Sequence, residues 1–397
     1  MKEENFEINI SDLNKINSFI LVDIRNEGAF NYGSIQNAIN IPDFKTRIEN
    51  GDIDKVNQYI IYCEYGNVSK EIAKEANLFG YNVKYIKNGY QAYILEYIRK
   101  LEDIIANENK NSGISITKNR SYREKLFSKF CKAIQDFKLI EKGDKIAVCI
   151  SGGKDSMLMA KLFQEMKKSN MYDFDLIYLV MNPGYNDINL KMIELNAKLL
   201  NIPIQIFDSP IFDVVTNLKD SPCYMCARMR RGFLYNKAKE LGCNKISLGH
   251  HYDDVIETTL MGMLWGGQFQ AMVPKIRSTN FENMDLIRPL YYIREKDIIN
   301  WRDANKLQFI QCACHFTESY FLEENGDKST SKRKETKQLI KKLKETNPNI
   351  EKNIFSSIKN VNLNTLLGYK TNEKEISFNE IYEKNKETNT KRLKENK

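Results

Sequence analysis

The sequence predicts an α/β protein in which a small α/β domain precedes a larger one built on a parallel sheet. Short apolar runs that are typical of buried strands alternate with amphipathic runs that are typical of helices along most of the chain. The chain has 397 residues, 42% of them hydrophobic, which is enough for more than one core. We expect domains at residues 1–105 and 120–370, a linker at 106–119 and a charged, disordered tail at 371–397.

The elements of the first domain follow from its apolar spacing. FILVDIR (19–25) and YIIYCEYG (59–66) have the composition of buried strands. VSKEIAKEANLFG (68–80) places Ile72 and Ala76 at helical spacing, and Gly80 ends that helix. The linker is predicted from ANENKNSGISITKN, which is polar and has almost no periodicity.

The second domain repeats the alternation on a larger scale. A helix is predicted from Leu126 to Phe137, where apolar residues form one face. Strands are predicted at KIAVCI (145–150), FDLIYLVMN (174–182), IPIQIFD (202–208) and NKISLGH (244–250). Helical runs separate these strands, which is the pattern of a parallel sheet.

Charge and cysteine usage limit the cellular setting. The net charge of +8 equals the excess carried by residues 325–397, which hold 18 basic and 10 acidic residues. A basic tail suits contact with RNA, and a solvated tail is the alternative. The eight cysteines are scattered, which favours thiol or metal chemistry over a disulfide framework. MKEENFEINI lacks an apolar signal region, and no membrane span is present, so we expect a soluble cytoplasmic protein.

A glycine-rich loop follows the strand KIAVCI. The loop is Ser151-Gly152-Gly153-Lys154-Asp155-Ser156, and a helix begins within it. Glycines allow close backbone approach, and free amides at a helix start bind anionic phosphate. Asp155 stands where a G-x-x-x-x-G-K-[ST] loop requires Ser or Thr, so the loop is of another kind. An ordinary glycine turn is the structural alternative, and the full string disfavours it.

The string SGGKDS resembles the pyrophosphate loop of the PP-loop ATP pyrophosphatases. MNPGYN (181–186), LGHHYDDVIETTLM (248–261), GGQFQAMVPK (266–275) and LIRPLYYIREKDI (286–298) resemble motifs of the tRNA 2-thiocytidine synthetase branch. The resemblance implies a Rossmann-like PP-loop domain, of the adenine nucleotide alpha hydrolase-like kind. It implies ATP binding by Ser151, Gly152, Gly153, Lys154, Asp155, Ser156, His250 and Asp254. We expect Asp155 to be catalytic as the ligand of Mg²⁺.

Two groups of cysteines are candidate metal ligands. Cys223 and Cys226 form a C-x-x-C pair before a helix, a spacing that suits one metal, one cluster or a redox pair. FIQCACHF supplies Cys312, Cys314 and His315. The resemblance implies a 4Fe–4S cluster on Cys223, Cys226 and one later cysteine, taken as Cys312 with Cys314 second. A closed zinc site using Cys314 or His315 as well is the alternative.

Cys63 ends a predicted strand within CEYGNVS (63–69), and a helix follows it. Loop amides in such a place stabilise a thiolate. The segment resembles the active loop of rhodanese domains, which carry sulfur as a cysteine persulfide. LVDIRNEGAFNYGSIQNAINIP (21–42) and KYIKNGYQAY (84–93) resemble their opening and closing motifs. Glu64 and Val68 stand where arginines are common, which argues against turnover of thiosulfate.

Together the two resemblances imply an ATP-dependent tRNA sulfurtransferase. It would adenylate a cytidine of the anticodon loop and replace the 2-oxygen with sulfur that Cys63 relays. The expected cofactors are ATP, Mg²⁺ and the 4Fe–4S cluster. The expected partners are tRNA and a cysteine desulfurase, with no membrane contact, and a homodimer stays open. The alternatives are a tRNA lysidine synthetase-like enzyme, a uridine-thiolating PP-loop enzyme, and a non-catalytic RNA-binding or iron–sulfur sensing protein.

Overall fold

The computed structural model describes residues 6–107, 114–211, 222–309, 332–371 and 373–395. Within these ranges, the side chains of residues 31–32, 222–227 and 387–395 are not described. The described residues form two compact units. One unit lies within residues 1–252 and 274–327, and the other lies within residues 253–273 and 328–397.

The N-terminal part of the first unit contains a five-stranded parallel sheet with the strand order β1-β5-β4-β2-β3. Its strands are β1 (Glu7–Ile8), β2 (Ile20–Asp23), β3 (Ile39–Asn40), β4 (Gln58–Tyr62) and β5 (Asn82–Ile86). Its helices are a 3₁₀ turn (Ile10–Lys15), α1 (Glu27–Tyr32), α2 (Phe44–Asn50), α3 (Asn67–Leu78) and α4 (Gly89–Asn107). Strands β2 and β4 and helix α3 confirm the predicted elements of this region.

The larger sheet of the same unit has the order β10-β11-β9-β6-β7-β8. Its strands are β6 (Asp144–Ile150), β7 (Phe174–Asn182), β8 (Ile204–Asp208), β9 (Lys245–Ser247), β10 (Lys275–Arg277) and β11 (Asp285–Ile287). Neighbouring strands are parallel, as predicted, except that the edge strand β10 is antiparallel to β11. The carboxyl ends of β6, β7, β8 and β9 therefore meet at one edge of the sheet, which is where such sheets bind ligands.

The helices around this sheet begin with the short α5 (Arg120–Tyr122), followed by a π-helical turn (Arg123–Phe127). The others are α6 (Ser128–Asp136), α7 (Lys154–Lys168), α8 (Asp187–Leu199), α9 (Pro222–Glu240), α10 (Tyr252–Gly266) and α11 (Glu295–Ala304). Helix α10 crosses the boundary between the two units, since all of it after Tyr252 belongs to the second.

The two sheets share one hydrophobic cluster, to which α4 contributes Ile98 and Leu101 and α8 contributes Ile193. The end of the predicted linker is anchored as well. Ile116 is fully buried, and its backbone N–H donates to the Glu165 carboxylate at 2.8 Å. Residues 114–119 thus pack as part of the first unit, whereas residues 108–113 lie outside the described residues.

The second unit contains the rest of α10 and the C-terminal elements. These are α12 (Lys332–Thr346), α13 (Ile350–Ser357), a 3₁₀ turn (Leu363–Thr365), the antiparallel pair β12 (Gly368–Lys370) and β13 (Glu375–Ser377), and α14 (Phe378–Glu395). The tail predicted to be disordered from residue 371 onward is therefore largely helical. Ser377 and Glu380 begin α14 as a capping box, since the Ser377 backbone N–H donates to the Glu380 carboxylate at 2.8 Å. None of the described helices is long and apolar enough to cross a membrane.

Candidate active site

The glycine-rich loop lies where the sequence places it, between β6 and α7. Gly152 has a φ of +84°, which turns the chain out of the strand. The Ser156 hydroxyl closes the loop, since it accepts from the Ser151 backbone N–H at 3.2 Å and donates to the Gly153 carbonyl at 3.0 Å. The first-turn amides of α7 have no acceptor within the helix and are available to an anion.

Charged side chains surround the start of α7. The buried Lys154 ammonium lies 3.2 Å from the Asp155 Oδ2 atom and 3.2 Å from the Glu295 Oε1 atom of α11. The Asp155 Oδ1 atom is buried, and among the described residues it has no hydrogen-bond partner. The His251 Nε2 atom is the nearby polar neighbour, at 3.8 Å. A buried carboxylate oxygen without a donor fits a hard divalent cation such as Mg²⁺.

The second predicted motif packs directly on this loop. Gly249 follows β9, and a Cβ atom at this position would lie 3.1 Å from the Ser156 backbone nitrogen and 3.2 Å from the Asp155 carbonyl carbon. His251 is buried beside Asp155, and His250 is half-buried next to it. The absence of a side chain at Gly249 therefore lets the histidine segment approach the glycine-rich loop, a role that the sequence did not assign to this residue.

Asp254, which the sequence assigns to ATP binding, lies in the second unit. There it pairs with Arg333 of α12, which also donates to the buried Glu257 at 2.8 Å. Burial raises the pKa of Glu257, and the nearby Lys337 and Arg333 counteract that rise. The role of Asp254 toward ATP remains a prediction.

The cysteines predicted to bind a metal are only partly described. Cys223 and Cys226 occupy positions in α9, and their spacing of three residues places these positions on one face of the helix. Their side chains lie outside the described residues, as does all of Cys312. The described side chains include no cluster of His, Cys, Asp and Glu that could hold a metal ion. The ligand set therefore remains a prediction.

Cys63 lies in a pocket of backbone amides between β4 and α3. Its Sγ atom accepts from the Gly66 backbone N–H at 3.1 Å and from the Ser69 backbone N–H at 3.4 Å. The Ser69 hydroxyl is also 3.4 Å away. The side chain is buried, with 7% of its residue surface exposed. Amide donors at a helix start stabilise negative charge on sulfur, as a thiolate or persulfide requires.

Arg25 braces the Cys63 loop through Asp23, Glu64 and Gly33. Its guanidinium binds the buried Asp23 carboxylate, donates to Glu64 at 2.9 Å and to the Gly33 carbonyl at 2.7 Å, and lies 3.8 Å from the centre of the Tyr90 ring. Burial opposes the charged guanidinium, but its hydrogen bonds to Asp23 raise the pKa of Arg25 above the ordinary value. Glu64 thus binds Arg25, which explains why an acidic residue is compatible with this loop.

The other described cysteines lie in or against hydrophobic clusters. Burial raises the pKa of Cys149 to about 12 and that of Cys131 to about 11, and it also raises the pKa of Cys243. These thiols therefore stay protonated at neutral pH, in keeping with their interpretation as core residues.

Comparison with known proteins supports both resemblances. The family model "PP-loop domain" matches residues 122–321, half of the chain, and the "Rhodanese-like domain" matches residues 9–96. A tRNA-cytidine(32) 2-sulfurtransferase of Anaeromyxobacter dehalogenans is 33% identical over 60% of this chain and 79% of that protein. One of Neisseria meningitidis serogroup C is 39% identical over 45% of this chain, and the match spans only 57% of the relative's length. The U34-tRNA thiolase NcsA of Methanococcus maripaludis, solved with its 4Fe–4S cluster, has a TM-score of 0.45 and 21% identity over 59% of this chain and 79% of its own.

Proposed function

This chain belongs to the PP-loop family. Because its relatives in that family include proteins named tRNA-cytidine(32) 2-sulfurtransferase, we propose that it is an ATP-dependent tRNA sulfurtransferase. The proposed reaction converts cytidine 32 of tRNA into 2-thiocytidine and releases AMP and pyrophosphate. The observation that supports it most directly is the buried Asp155 oxygen beside Lys154, at the start of α7. That arrangement suits a metal-bound polyphosphate rather than a structural turn.

In the activation step, the loop amides and Lys154 hold the phosphates of ATP. Asp155 would bind Mg²⁺, which neutralises phosphate charge when it is present. The 2-oxygen of the cytidine attacks the α-phosphorus, and the bond to the pyrophosphate leaving group breaks. The chain contributes orientation here, because both reactants must be held in line at the carboxyl edge of the sheet.

In the sulfur step, Cys63 accepts a persulfide sulfur from a cysteine desulfurase. Release of that sulfur as sulfide takes two electrons, which a thiol reductant supplies. The sulfide attacks C2 of the adenylated base, so that a C–S bond forms and the C–O bond to AMP breaks. The amides of Gly66 and Ser69 hold the negative charge on the Cys63 sulfur until it is delivered.

Cys223, Cys226 and Cys312 would hold a 4Fe–4S cluster, which would offer the sulfide an iron without a protein ligand. The positions of Cys223 and Cys226 on one face of α9 are compatible with shared ligation.

The tRNA partner is supported by α12, which contains seven Lys and Arg residues, all of them exposed, and only two acidic residues. Such a helix suits a phosphate backbone.

The test uses the full chain with unmodified tRNA, ATP, Mg²⁺, a thiol reductant and a desulfurase with cysteine. Pyrophosphate release and the nucleosides of digested tRNA are measured. We expect 2-thiocytidine, and we expect Asp155→Asn to slow pyrophosphate release by about 100-fold or more. The matched control is Asp175→Asn, which changes a carboxylate that is 77% exposed near the opposite end of β7. Its rate should equal that of the wild type.

The nucleoside analysis separates the alternatives. Lysidine or a 2-thiouridine in place of 2-thiocytidine would identify a different PP-loop activity. No tRNA-dependent pyrophosphate release from the wild type would exclude adenylation and favour a binding protein. Equal rates for Asp155→Asn and the wild type would exclude the carboxylate from the mechanism.

A further inference from the structure

A glutamine of the PP-loop region lies among three tyrosines of the rhodanese-like region. The Gln308 Oε1 atom accepts from the Tyr90 hydroxyl at 3.3 Å, and its Nε2 atom donates to the Tyr93 hydroxyl at 3.4 Å. The Gln308 backbone N–H donates to the Tyr97 hydroxyl at 3.1 Å. The three tyrosines share one face of α4, because they are spaced three and four residues apart. We call them the tyrosine socket.

The glutamine is also fixed through its backbone carbonyl. Its carbonyl accepts from the Asn196 side chain of α8 at 2.7 Å, and Asn196 is fully buried. Its chain neighbours Leu307 and Phe309 are 1% and 3% exposed and belong to the shared hydrophobic cluster. The Gln308 backbone therefore has little freedom, and the side chain is held rigidly in the tyrosine socket.

The tyrosine socket shares residues with the frame of the sulfur-carrying loop. The Tyr90 backbone N–H donates to the Cys63 carbonyl at 2.9 Å, while the Tyr90 ring lies against the Arg25 guanidinium. Gly33 accepts from Arg25 on one side and borders the socket on the other. A Cβ atom at Gly33 would lie 2.5 Å from the Tyr90 hydroxyl and 3.2 Å from the Gln308 Oε1 atom.

We propose that Gln308 is a positioning residue that fixes the rhodanese-like region on the PP-loop region, so that Cys63 delivers sulfur from a docked domain. This inference rests on the proposed sulfur relay. A freely tethered carrier would sample many orientations on a flexible linker. Here the socket and the anchored residues 114–119 define one orientation. We call these contacts between the two regions the dock. Tyr90 of the socket also contacts the Cys63 loop, so the position of that loop depends on the dock.

Within the tyrosine socket, the polar contacts are neutral hydrogen bonds. Burial raises the pKa of Tyr97 to about 12, so its hydroxyl stays neutral at physiological pH. The salt bridge between α4 and α8, Glu102 to Lys191 at 2.6 Å, has both side chains nearly half exposed, at 44% and 48%. Exposed pairs contribute little, and salt screens them. Gln308 should therefore matter for docking and Lys191 should not.

The experiment compares wild type, Gln308→Ala, Lys191→Ala and Tyr93→Phe as full chains. Cys63 is first loaded with ³⁵S by a desulfurase, and the label appearing in tRNA is followed in a single turnover with ATP and a thiol reductant. Loss of two hydrogen bonds predicts transfer that is roughly five- to 100-fold slower for Gln308→Ala. Loading of Cys63 and thiolation driven by free sulfide should both stay at the wild-type rate. Lys191→Ala should behave as the wild type, and Tyr93→Phe should be partly impaired.

Hydrogen exchange of the α4 amides provides a readout that does not depend on activity. It should accelerate in Gln308→Ala but not in Lys191→Ala. In the double variant of Tyr93→Phe and Gln308→Ala, the acceleration should be smaller than the sum of the two single effects. Wild-type transfer and exchange in Gln308→Ala would overturn the proposal, as would equal losses in Lys191→Ala. If the wild-type protein forms no 2-thiocytidine from either sulfur source, the proposed function fails, and exchange alone then decides whether the dock exists.

Discussion

Gly89 is the position where a single methyl group should distort the Cys63 loop. Its φ is +56°, and a Cβ atom would lie 2.3 Å from the Cys63 carbonyl oxygen and 2.7 Å from the Gly66 nitrogen. Both atoms are backbone, so neither can rotate away. Gly80 offers a matched control, because its φ is +81° and a Cβ atom there would have no neighbour within 4 Å.

The expected losses of stability follow from the different space around the Cβ atom at the two positions. An alanine in the left-handed region costs about 1–2 kcal/mol at either position. At Gly89 the overlap with the Cys63 loop adds roughly 1–3 kcal/mol, as overpacking does in a core. We therefore expect Gly89→Ala to destabilise the region by about 2–5 kcal/mol, and Gly80→Ala by the smaller cost alone. Relief of the overlap must displace the Cys63 carbonyl, and with it the sulfur pocket.

The assay is desulfurase-catalysed persulfide loading of Cys63, read by intact-protein mass, together with hydrogen exchange of the α3 amides. Gly89→Ala should load at least tenfold more slowly than the wild type, since the amide pocket is distorted. Gly80→Ala should load normally despite its stability loss. Equal loading by the two variants would refute the idea that close backbone approach at Gly89 shapes the pocket.

Four further predictions concern other parts of the protein. Cys63→Ser should leave pyrophosphate release unchanged but slow thiolation when desulfurase is limiting, and free sulfide should restore the rate; an unchanged rate with limiting desulfurase would exclude the relay. Anaerobically purified protein should contain iron and acid-labile sulfide, which Cys223→Ala should lose; stoichiometric zinc without iron would instead support the closed site. Val68→Arg should raise the kcat/KM for thiosulfate by about fivefold or more at low salt, because it adds a positive charge at an exposed position. No gain would mean that the missing positive charge does not limit the turnover of thiosulfate. Burial raises the pKa of Glu257 above 4.5, so the stability that this group contributes is complete at lower pH and is lost as the pH rises through the raised pKa. In urea unfolding, Glu257→Gln should therefore lose less stability than the wild type above pH 4.5. An identical pH profile for the two proteins would contradict this.

Local patterns were sufficient to predict the strands and the glycine-rich loop. The run FDLIYLVMN coincides with β7, because a continuous apolar stretch can be buried on both faces of a parallel sheet. The string SGGKDS lies at a strand-to-helix turn because its glycine supplies the left-handed φ that ends β6. Each of these features is determined within about ten residues of sequence.

Such local patterns could not predict contacts between residues that are far apart in the sequence. Lys154 meets Glu295 across 141 positions, and Gln308 meets Tyr93 across 215. No spacing rule links residues so far apart, because tertiary packing alone brings them together. Helix α14 is a different case. Its capping box at Ser377 and Glu380 was readable, but the polar composition outweighed that signal in the prediction of a disordered tail.

In the proposed mechanism, the two chemical steps would use the same backbone arrangement to hold two different anions. In each, a strand ends, a glycine with a φ near +85° turns the chain, and a helix begins, at Gly66 before α3 and at Gly152 before α7. At Cys63 the amides would hold an anion that the chain itself supplies, and Arg25 serves as a brace for the loop. At the PP-loop the anion would come from a bound nucleotide, and we expect Lys154 to provide the positive charge. Because a persulfide is labile, the carrier benefits from a fixed path to its acceptor, which is what a docked domain provides and a free tether does not.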